Sequence, residues 1–335
     1  MLYPLLVRPF VFAQDAETAH ETSLELLNTF RYLIPGTLHR KPVKVMGLDF
    51  PNPVGLAAGL DKNADYLPGL GRLGFGFIEV GTVTPRAQAG NPKPRLFRLT
   101  EHNSIINRMG FNNKGVDYLL NNVSRLPEHD YILGINIGKN LSTAVDNALS
   151  DYTLALQQVY TSADYITINI SSPNTPGLRN LQSEEALESL LKGINDCRKS
   201  LQDEHQVNRP IALKVAPDLD SQAIAPISDL LVKYEIDALI ATNTTLDKSR
   251  VTGHPAANEV GGLSGAALTD KSRQILFQFH QRLQDQIPII SAGGIDSPEE
   301  AQLRLDLGAK LVQLYSAIIF KGPGIINKIT KSITP

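Results

Sequence analysis

The sequence predicts an α/β protein, a (β/α)8 TIM barrel carrying a small N-terminal helical extension. Three observations point there: short apolar runs recur from residue 53 onward, each is followed by a longer stretch of helical spacing, and the runs are too uniformly apolar to have a wet face. Eight such units in about 280 residues are what a closed parallel barrel wrapped in helices requires. An open doubly wound sheet is the alternative, and the regular spacing favours closure.

In chain order, residues 1–44 are assigned to the extension and residues 45–335 to the barrel. Leu2, Tyr3, Leu5, Leu6, Val7, Phe10, Val11 and Phe12 form an apolar cluster broken by Pro4, Arg8 and Pro9, and Glu17, His20, Leu24, Leu27 and Phe30 follow at helical spacing. Two short helices are expected. They either cap the barrel or, because an apolar face too short to span can rest in an interface, lie against a membrane. The predicted strands are 54–58, 77–81, 132–136, 165–170, 211–215, 238–241, 289–291 and 311–315. Helices are expected near 64–73, 114–125, 143–160, 183–204, 221–235, 268–285 and 298–307, with another after 322. Two connections are oversized, 82–130 and 242–267. Both begin at carboxyl ends of strands, where a barrel keeps its chemistry and where long loops hold or cover a site.

Composition narrows the function. With 42% hydrophobic and 20% charged residues and a formal net charge of -2, the 335-residue chain lacks the basic field that holds nucleic acid. A single cysteine, Cys197, can build neither an internal disulfide nor a thiolate cage, and fits a reducing compartment. The seven histidines show no paired ligand spacing, so no metal is expected. No apolar run is long enough to span a bilayer, and no secretory signal is expected. Gly69-Leu70-Gly71-Arg72-Leu73-Gly74 matches the dinucleotide pattern G-x-G-x-x-G, but a helical stretch precedes it where a strand is needed.

The informative residues stand just after the apolar runs. Ala58 to Lys62, Thr82, Asn136, Asn169 to Asn174, Lys214, Thr242 to Thr245, Gly293-Gly294 and Tyr315-Ser316 bring amides, hydroxyls, ammoniums or bare backbone to one rim. Each such group costs about 1–3 kcal/mol when buried without a partner, which a flat, polar-edged ligand would supply. Gly293-Gly294 beside Tyr315-Ser316 falls where barrels bind phosphate, so a phosphorylated ligand is expected.

Several strings together resemble the dihydroorotate dehydrogenases, specifically the membrane-associated, quinone-reducing class. These are 52–62 (NPVGLAAGLDK), 81–86 (GTVTPR), 107–113 (NRMGFNN), 169–179 (NISSPNTPGLR), 214–218 (KVAPD), 242–245 (TNTT), 261–265 (GGLSG) and 291–295 (SAGGI), in order over nearly the whole chain. The resemblance implies a flavin mononucleotide (FMN) enzyme that oxidises dihydroorotate to orotate in pyrimidine synthesis. It implies that Ala58, Gly59, Leu60, Asp61, Lys62, Thr82, Asn136, Asn169, Lys214, Thr242, Gly265, Gly294, Tyr315 and Ser316 hold the flavin. Orotate falls to Lys62, Asn107, Asn169, Asn174, Asn243 and Thr244, with the backbone of Arg108, Met109, Gly110 and Phe111 closing around it.

The same resemblance makes Ser172 the base that takes the C5 proton, and puts His20, Arg98, Phe111 and Tyr315 around the quinone or between it and the flavin. A serine is a poor base at its free pKa and needs an enclosed, oriented position. The extension becomes the quinone entrance, and the protein is expected to be peripheral on the cytoplasmic face of a bacterial inner membrane, without a required protein partner. Two other readings remain: a related flavin barrel using fumarate or a nicotinamide cofactor through another subunit, and a phosphate-ligand-binding barrel without turnover.

Overall fold

All eight predicted apolar runs pair into one closed parallel barrel. The structure is a computed structural model that describes residues 3, 7–36 and 38–335. A hairpin of β1 (Val43–Val45) and β2 (Leu48–Phe50) precedes the barrel strands β3 (Val54–Leu56) and β4 (Phe77–Val83). β5 (Leu96–Leu99) and β6 (Ser104–Asn107) leave the barrel, which resumes with β7 (Ile132–Ile137), β8 (Tyr165–Asn169), β9 (Ile211–Val215) and β10 (Ala238–Ala241). β11 (Gly262–Gly265) leaves it again before β12 (Ile289–Ala292) and β13 (Ala309–Leu314) complete the circle. The neighbours around it run β3-β4-β7-β8-β9-β10-β12-β13 and back to β3.

The helices are α1 (Arg8–Phe12), α2 (Ala16–Thr29), α3 (Leu67–Leu70), α4 (Val116–Val123), α5 (Ala148–Val159), α6 (Glu184–His205), α7 (Ser221–Lys233), α8 (Thr269–Leu283), α9 (Pro298–Asp306), α10 (Ser316–Lys321) and α11 (Gly324–Ser332). Their starts are chemically marked. Asp15 Oδ1 accepts from Glu17 N and Thr18 N to cap α2, and Ser297 Oγ accepts from Glu300 N to cap α9, with Pro298 in the first turn.

Barrel closure depends on small residues facing large ones inside it. A Cβ on Gly55 would stand 2.3 Å from the Phe77 ring, and one on Gly134 would stand 2.3 Å from the Tyr165 ring. Phe77 and Tyr165 therefore fill the amino-terminal half of the barrel, which the hairpin stoppers with Val45 and Phe50; Phe50 meets Phe77 edge-on at 5.3 Å. The carboxyl-terminal half is left to polar groups.

Four features differ from the sequence reading. The β1–β2 hairpin was not expected, nor was the antiparallel sheet β11-β6-β5, which joins the two oversized connections over the carboxyl-terminal mouth around Leu99, Ile106 and Leu263. These strands are three or four residues long, and their pairing is non-local for β11, so no periodicity announces them. Residues 316–321 form α10, where no helix is predicted, and the expected helix 64–73 shrinks to α3 with a short 3-10 turn.

The two N-terminal helices are present as expected. Of the apolar cluster named there, Leu2, Leu5 and Leu6 lie outside the described residues, as does Pro4. α2 rests on α3 so closely that a Cβ on Gly69 would stand 2.9 Å from Asn28 Cα, and Gly69 N donates to Asn28 Oδ1 at 3.1 Å. Gly69 of the dinucleotide-like string thus serves packing, as does Gly71, where a Cβ would stand 2.6 Å from the Tyr131 ring, and Gly74 adopts the left-handed conformation that ends the turn. Among the described residues no helix is long and apolar enough to cross a membrane.

Candidate active site

The carboxyl ends of the strands enclose a cavity of about 1200 Å3, its open mouth included. Its floor is a ladder of amides and hydroxyls. Asn169, at the end of β8, donates through Nδ2 to Thr82 Oγ1 at 2.9 Å and to Asn136 Oδ1 at 3.2 Å. Thr82 Oγ1 also donates to Asn136 Oδ1 at 2.6 Å, and Asn136 Nδ2 donates downward to Glu79 Oε1 at 2.8 Å. Glu79 Oε2 accepts from Tyr165 Oη at 2.9 Å, Thr167 Oγ1 at 3.1 Å and Gln313 Nε2 at 2.9 Å. Glu79 is fully buried, and its two side-chain oxygens accept four hydrogen bonds.

Lys214, on β9, is buried in the wall of the cavity. Desolvation lowers its pKa, and the Glu79 charge opposes that fall. Gln313 Oε1 and Thr244 Oγ1 are buried without a hydrogen-bond partner and belong to cavity-lining residues. A native interior rarely leaves such atoms unsatisfied, so they mark places for ligand or water.

The loop after β8 carries Ser172, 5% exposed, whose Oγ accepts from Asn174 N at 3.2 Å. Asn174 Nδ2 donates to Asn107 Oδ1 at 3.1 Å, and Asn243 Nδ2 donates to Ser171 Oγ at 2.9 Å. Arg179 ties this loop to the one after β10, donating to Ser171 O at 3.0 Å, Thr244 O at 2.8 Å and Asp218 Oδ2 at 2.7 Å. At the other end of the cavity, Gly293 O accepts from Ser272 Oγ at 2.7 Å and from Arg304 Nη2 at 3.0 Å, and Gly294 O accepts from Thr269 Oγ1 at 2.9 Å. Gly294 has φ +74°, and a Cβ there would stand 2.4 Å from Thr269 Oγ1. Glycine is thus required by backbone and packing together.

Most of the residues expected at the site meet in this cavity: Ala58, Gly59, Lys62, Thr82, Asn169, Lys214, Thr242, Gly265, Gly294, Tyr315 and Ser316 line it, as do Asn107, Met109, Gly110, Phe111, Ser172, Asn174, Asn243 and Thr244. Six do not. Leu60 is core, and Asp61 caps the following turn by accepting from Asn63 N, Asp65 N and Tyr66 N, while burial pushes its pKa up to about 6. Asn136 lies beneath the floor as a support for Thr82 and Asn169. The Arg108 side chain points away, to Glu259 Oε2 at 2.6 Å and Pro94 O at 2.8 Å.

His20 and Arg98 belong to the extension side. Burial, with a push from Lys62, lowers the His20 pKa to about 3, leaving a neutral imidazole. Arg98 donates to Val11 O at 3.1 Å and Phe12 O at 3.3 Å, and to Gln14 O, closing the end of α1. Lys62 Nζ donates to Gly59 O at 2.9 Å, and desolvation pulls its pKa down to about 8. The sequence reading missed Glu79, Gln313, Arg304 and the linking role of Arg179. A glutamate in the middle of the apolar run Phe77–Val83 was a usable signal for the first.

The sequence profile of the family described as Dihydroorotate dehydrogenase matches residues 41–335. The chain belongs to the dihydroorotate dehydrogenase family. It is 52% identical to the dihydroorotate dehydrogenase (quinone) of Chromobacterium violaceum, covering 99% of this chain and 97% of that protein. The proteins of the same name from Acinetobacter baylyi and Proteus mirabilis are 52% and 51% identical, and each is covered over 100% of its length. The crystal structure of the Eimeria tenella dihydroorotate dehydrogenase in complex with ferulenol superposes with a TM-score of 0.87 at 35% identity, covering 94% of this chain and 90% of that one. The ligand-free form of the Eimeria protein gives the same TM-score at 36% identity, over 95% and 94%.

Proposed function

We propose that this chain oxidises dihydroorotate to orotate with bound FMN and passes the electrons to a membrane quinone, in pyrimidine synthesis. One observation carries the reading: in a chain of this family, Ser172, Lys62 and the amides of Asn107, Asn174 and Asn243 converge on one cavity whose wall holds the buried ammonium of Lys214.

The residues present fit a flavin. Gln313 Oε1 is an acceptor without a donor, Lys214 is a cation buried against the cavity, and Gly265, Gly294 and Ser316 form a donor-rich end suited to a phosphate. When bound, FMN supplies the hydride acceptor and the relay to the quinone. Lys214 supplies positive charge where negative charge develops, and Thr82 and Asn169, held by Asn136, fix the floor. Lys62 and the three asparagines offer one cation and several amides to a carboxylate and imide. Ser172 Oγ, held by the N–H of Asn174, takes the C5 proton as its own hydroxyl proton passes along a hydrogen-bonded route to water.

The membrane side is supported by apolar exposure on the extension. Phe10, Tyr32 and Leu33 are 75%, 78% and 80% exposed, and Leu26 and Phe30 join them. On this reading residues 1–44 bind the inner membrane from its cytoplasmic face and admit the quinone, with His20, Arg98, Phe111 and Tyr315 on the electron route, and residues 45–335 form the flavin barrel. The deciding experiment is an anaerobic absorption spectrum of the purified protein. Bleaching of a flavin band by dihydroorotate, followed by recovery on adding a quinone, is the expected result; a colourless protein that turns over dihydroorotate sinks the reading.

A further inference from the structure

A buried ion pair outside the cavity has no part in the chemistry above. Glu17 stands in the first turn of α2, and Arg95 immediately precedes β5. Their side chains are 4% and 8% exposed. Arg95 Nε meets the two carboxylate oxygens at 3.2 and 3.1 Å, and Nη2 meets Oε1 at 2.8 Å. Desolvation works against the Glu17 charge, but the Arg95 bonds hold the carboxyl below its ordinary pKa. Such a pair is weak as a source of stability, so what it holds in place matters more.

Arg95 uses its remaining nitrogen on the backbone of the loop that follows β4. Nη1 donates to Ala89 O at 2.6 Å and to Asn91 O at 2.8 Å, while Arg95 O accepts from Arg108 N at 2.9 Å. Asn91 in turn grips the substrate wall: its N donates to Met109 O at 3.0 Å, and its Nδ2 donates to Arg108 O at 2.9 Å and Asn174 O at 3.4 Å. The packing leaves no slack, since a Cβ on Gly90 would stand 2.3 Å from Met109 O and 3.0 Å from Arg95 Nη1.

We propose that Glu17, acting through Arg95, is a positioning residue for the dihydroorotate-binding wall, so that helix α2 of the extension completes the substrate side of the site as well as facing the quinone. The carboxylate fixes the guanidinium plane, the guanidinium fixes the carbonyls of Ala89 and Asn91, and Asn91 fixes the backbone on which Asn107 and Asn174 sit. The Glu17 charge also favours the ammonium form of Lys62, an effect that the Arg95 charge opposes. The inference rests on the substrate placement proposed above.

The test uses the full-length holoenzyme as wild type, Glu17→Gln and the double variant Glu17→Leu/Arg95→Met. Orotate binding is read from perturbation of the flavin spectrum. Anaerobic flavin reduction gives the limiting rate and the half-saturating dihydroorotate concentration, with flavin content and melting temperature as controls. Glu17→Gln leaves Arg95 buried without its anion and lowers the melting temperature; the double variant removes both charges and recovers it. In both, the orotate Kd and half-saturating dihydroorotate are expected to rise about tenfold, equivalent to about 1.4 kcal/mol and to roughly one lost hydrogen bond, with the limiting rate within about threefold of wild type.

Wild-type orotate affinity in either flavin-replete variant, or its recovery together with melting temperature in the double variant, overturns the proposal and makes the pair a stability element alone. If Glu17→Gln does not fold, the double variant decides by the same readouts. A wild-type protein that shows no orotate response overturns instead the functional reading from which the substrate wall was assigned.

Discussion

The hydroxyl of Thr82 donates to Oδ1 of Asn136 at 2.6 Å, one rung of a ladder that runs from the cavity down to the carboxylate of Glu79. Because Asn136 Oδ1 is taken by Thr82 and Asn169, its amide nitrogen must face Glu79. The floor on which the flavin is proposed to rest is therefore set by a residue that does not line the cavity.

Replacing Glu79 by leucine strands Asn136 Nδ2 and Gln313 Nε2 and leaves two hydroxyls to find other partners. Unsatisfied buried donors cost about 1–3 kcal/mol each, so a loss of at least about 2 kcal/mol and a weaker hold on flavin are expected. Denaturant unfolding, with and without added FMN, measures both. Wild-type stability and flavin content would show that the ladder is dispensable.

Ser172→Ala should retain flavin and slow its anaerobic reduction by dihydroorotate about 10²-fold or more, the usual size of a general-base contribution. Stopped-flow bleaching at the wild-type rate would remove Ser172 from the role of base.

The depressed pKa of Lys62, about 8, gives orotate binding a pH dependence. Below that value the ammonium is present to meet a carboxylate; as pH rises through it the charge is lost, so the orotate Kd should increase on the alkaline side. Titrations from pH 6 to 10 on wild type and Lys62→Ala test this. A wild-type alkaline rise that persists unchanged in Lys62→Ala assigns the titration to another group. Lys214→Ala, by contrast, should lower flavin content and slow reduction together, since its charge faces the proposed flavin site.

The double substitution Phe10→Glu/Leu33→Glu places two charges on the exposed apolar face of the extension without touching the barrel. Co-sedimentation with anionic vesicles and reduction of a long-tailed quinone should fall by roughly tenfold or more, while flavin reduction by dihydroorotate stays at the wild-type rate. Equal vesicle binding would reduce that face to a cap. Deleting residues 1–40 is the blunter experiment: it also removes Glu17, so the two half-reactions should not separate cleanly.

The barrel was legible because its strands are buried on both faces, and a continuous apolar run such as Ile211–Val215 or Ala238–Ala241 has no other economical use between helices. The polar rim was legible for the complementary reason: Lys214, Asn169 and Thr242 interrupt that pattern where a barrel places its chemistry. Rim stretches such as 169–179 and 291–295 carry the family resemblance. What the sequence by itself could not determine was which of those polar residues face the cavity and which support them. Asn136 and Asp61 sit in the same strings as Thr82 and Lys62, yet one lies beneath the floor and the other caps a turn. Nor could it pair Glu17 with Arg95, 78 positions apart, or bring β11 against β6 across nearly half the chain. Local periodicity records how each segment meets the core, whereas side-chain direction and long-range pairing exist only once the barrel has closed and the connections have folded over its mouth.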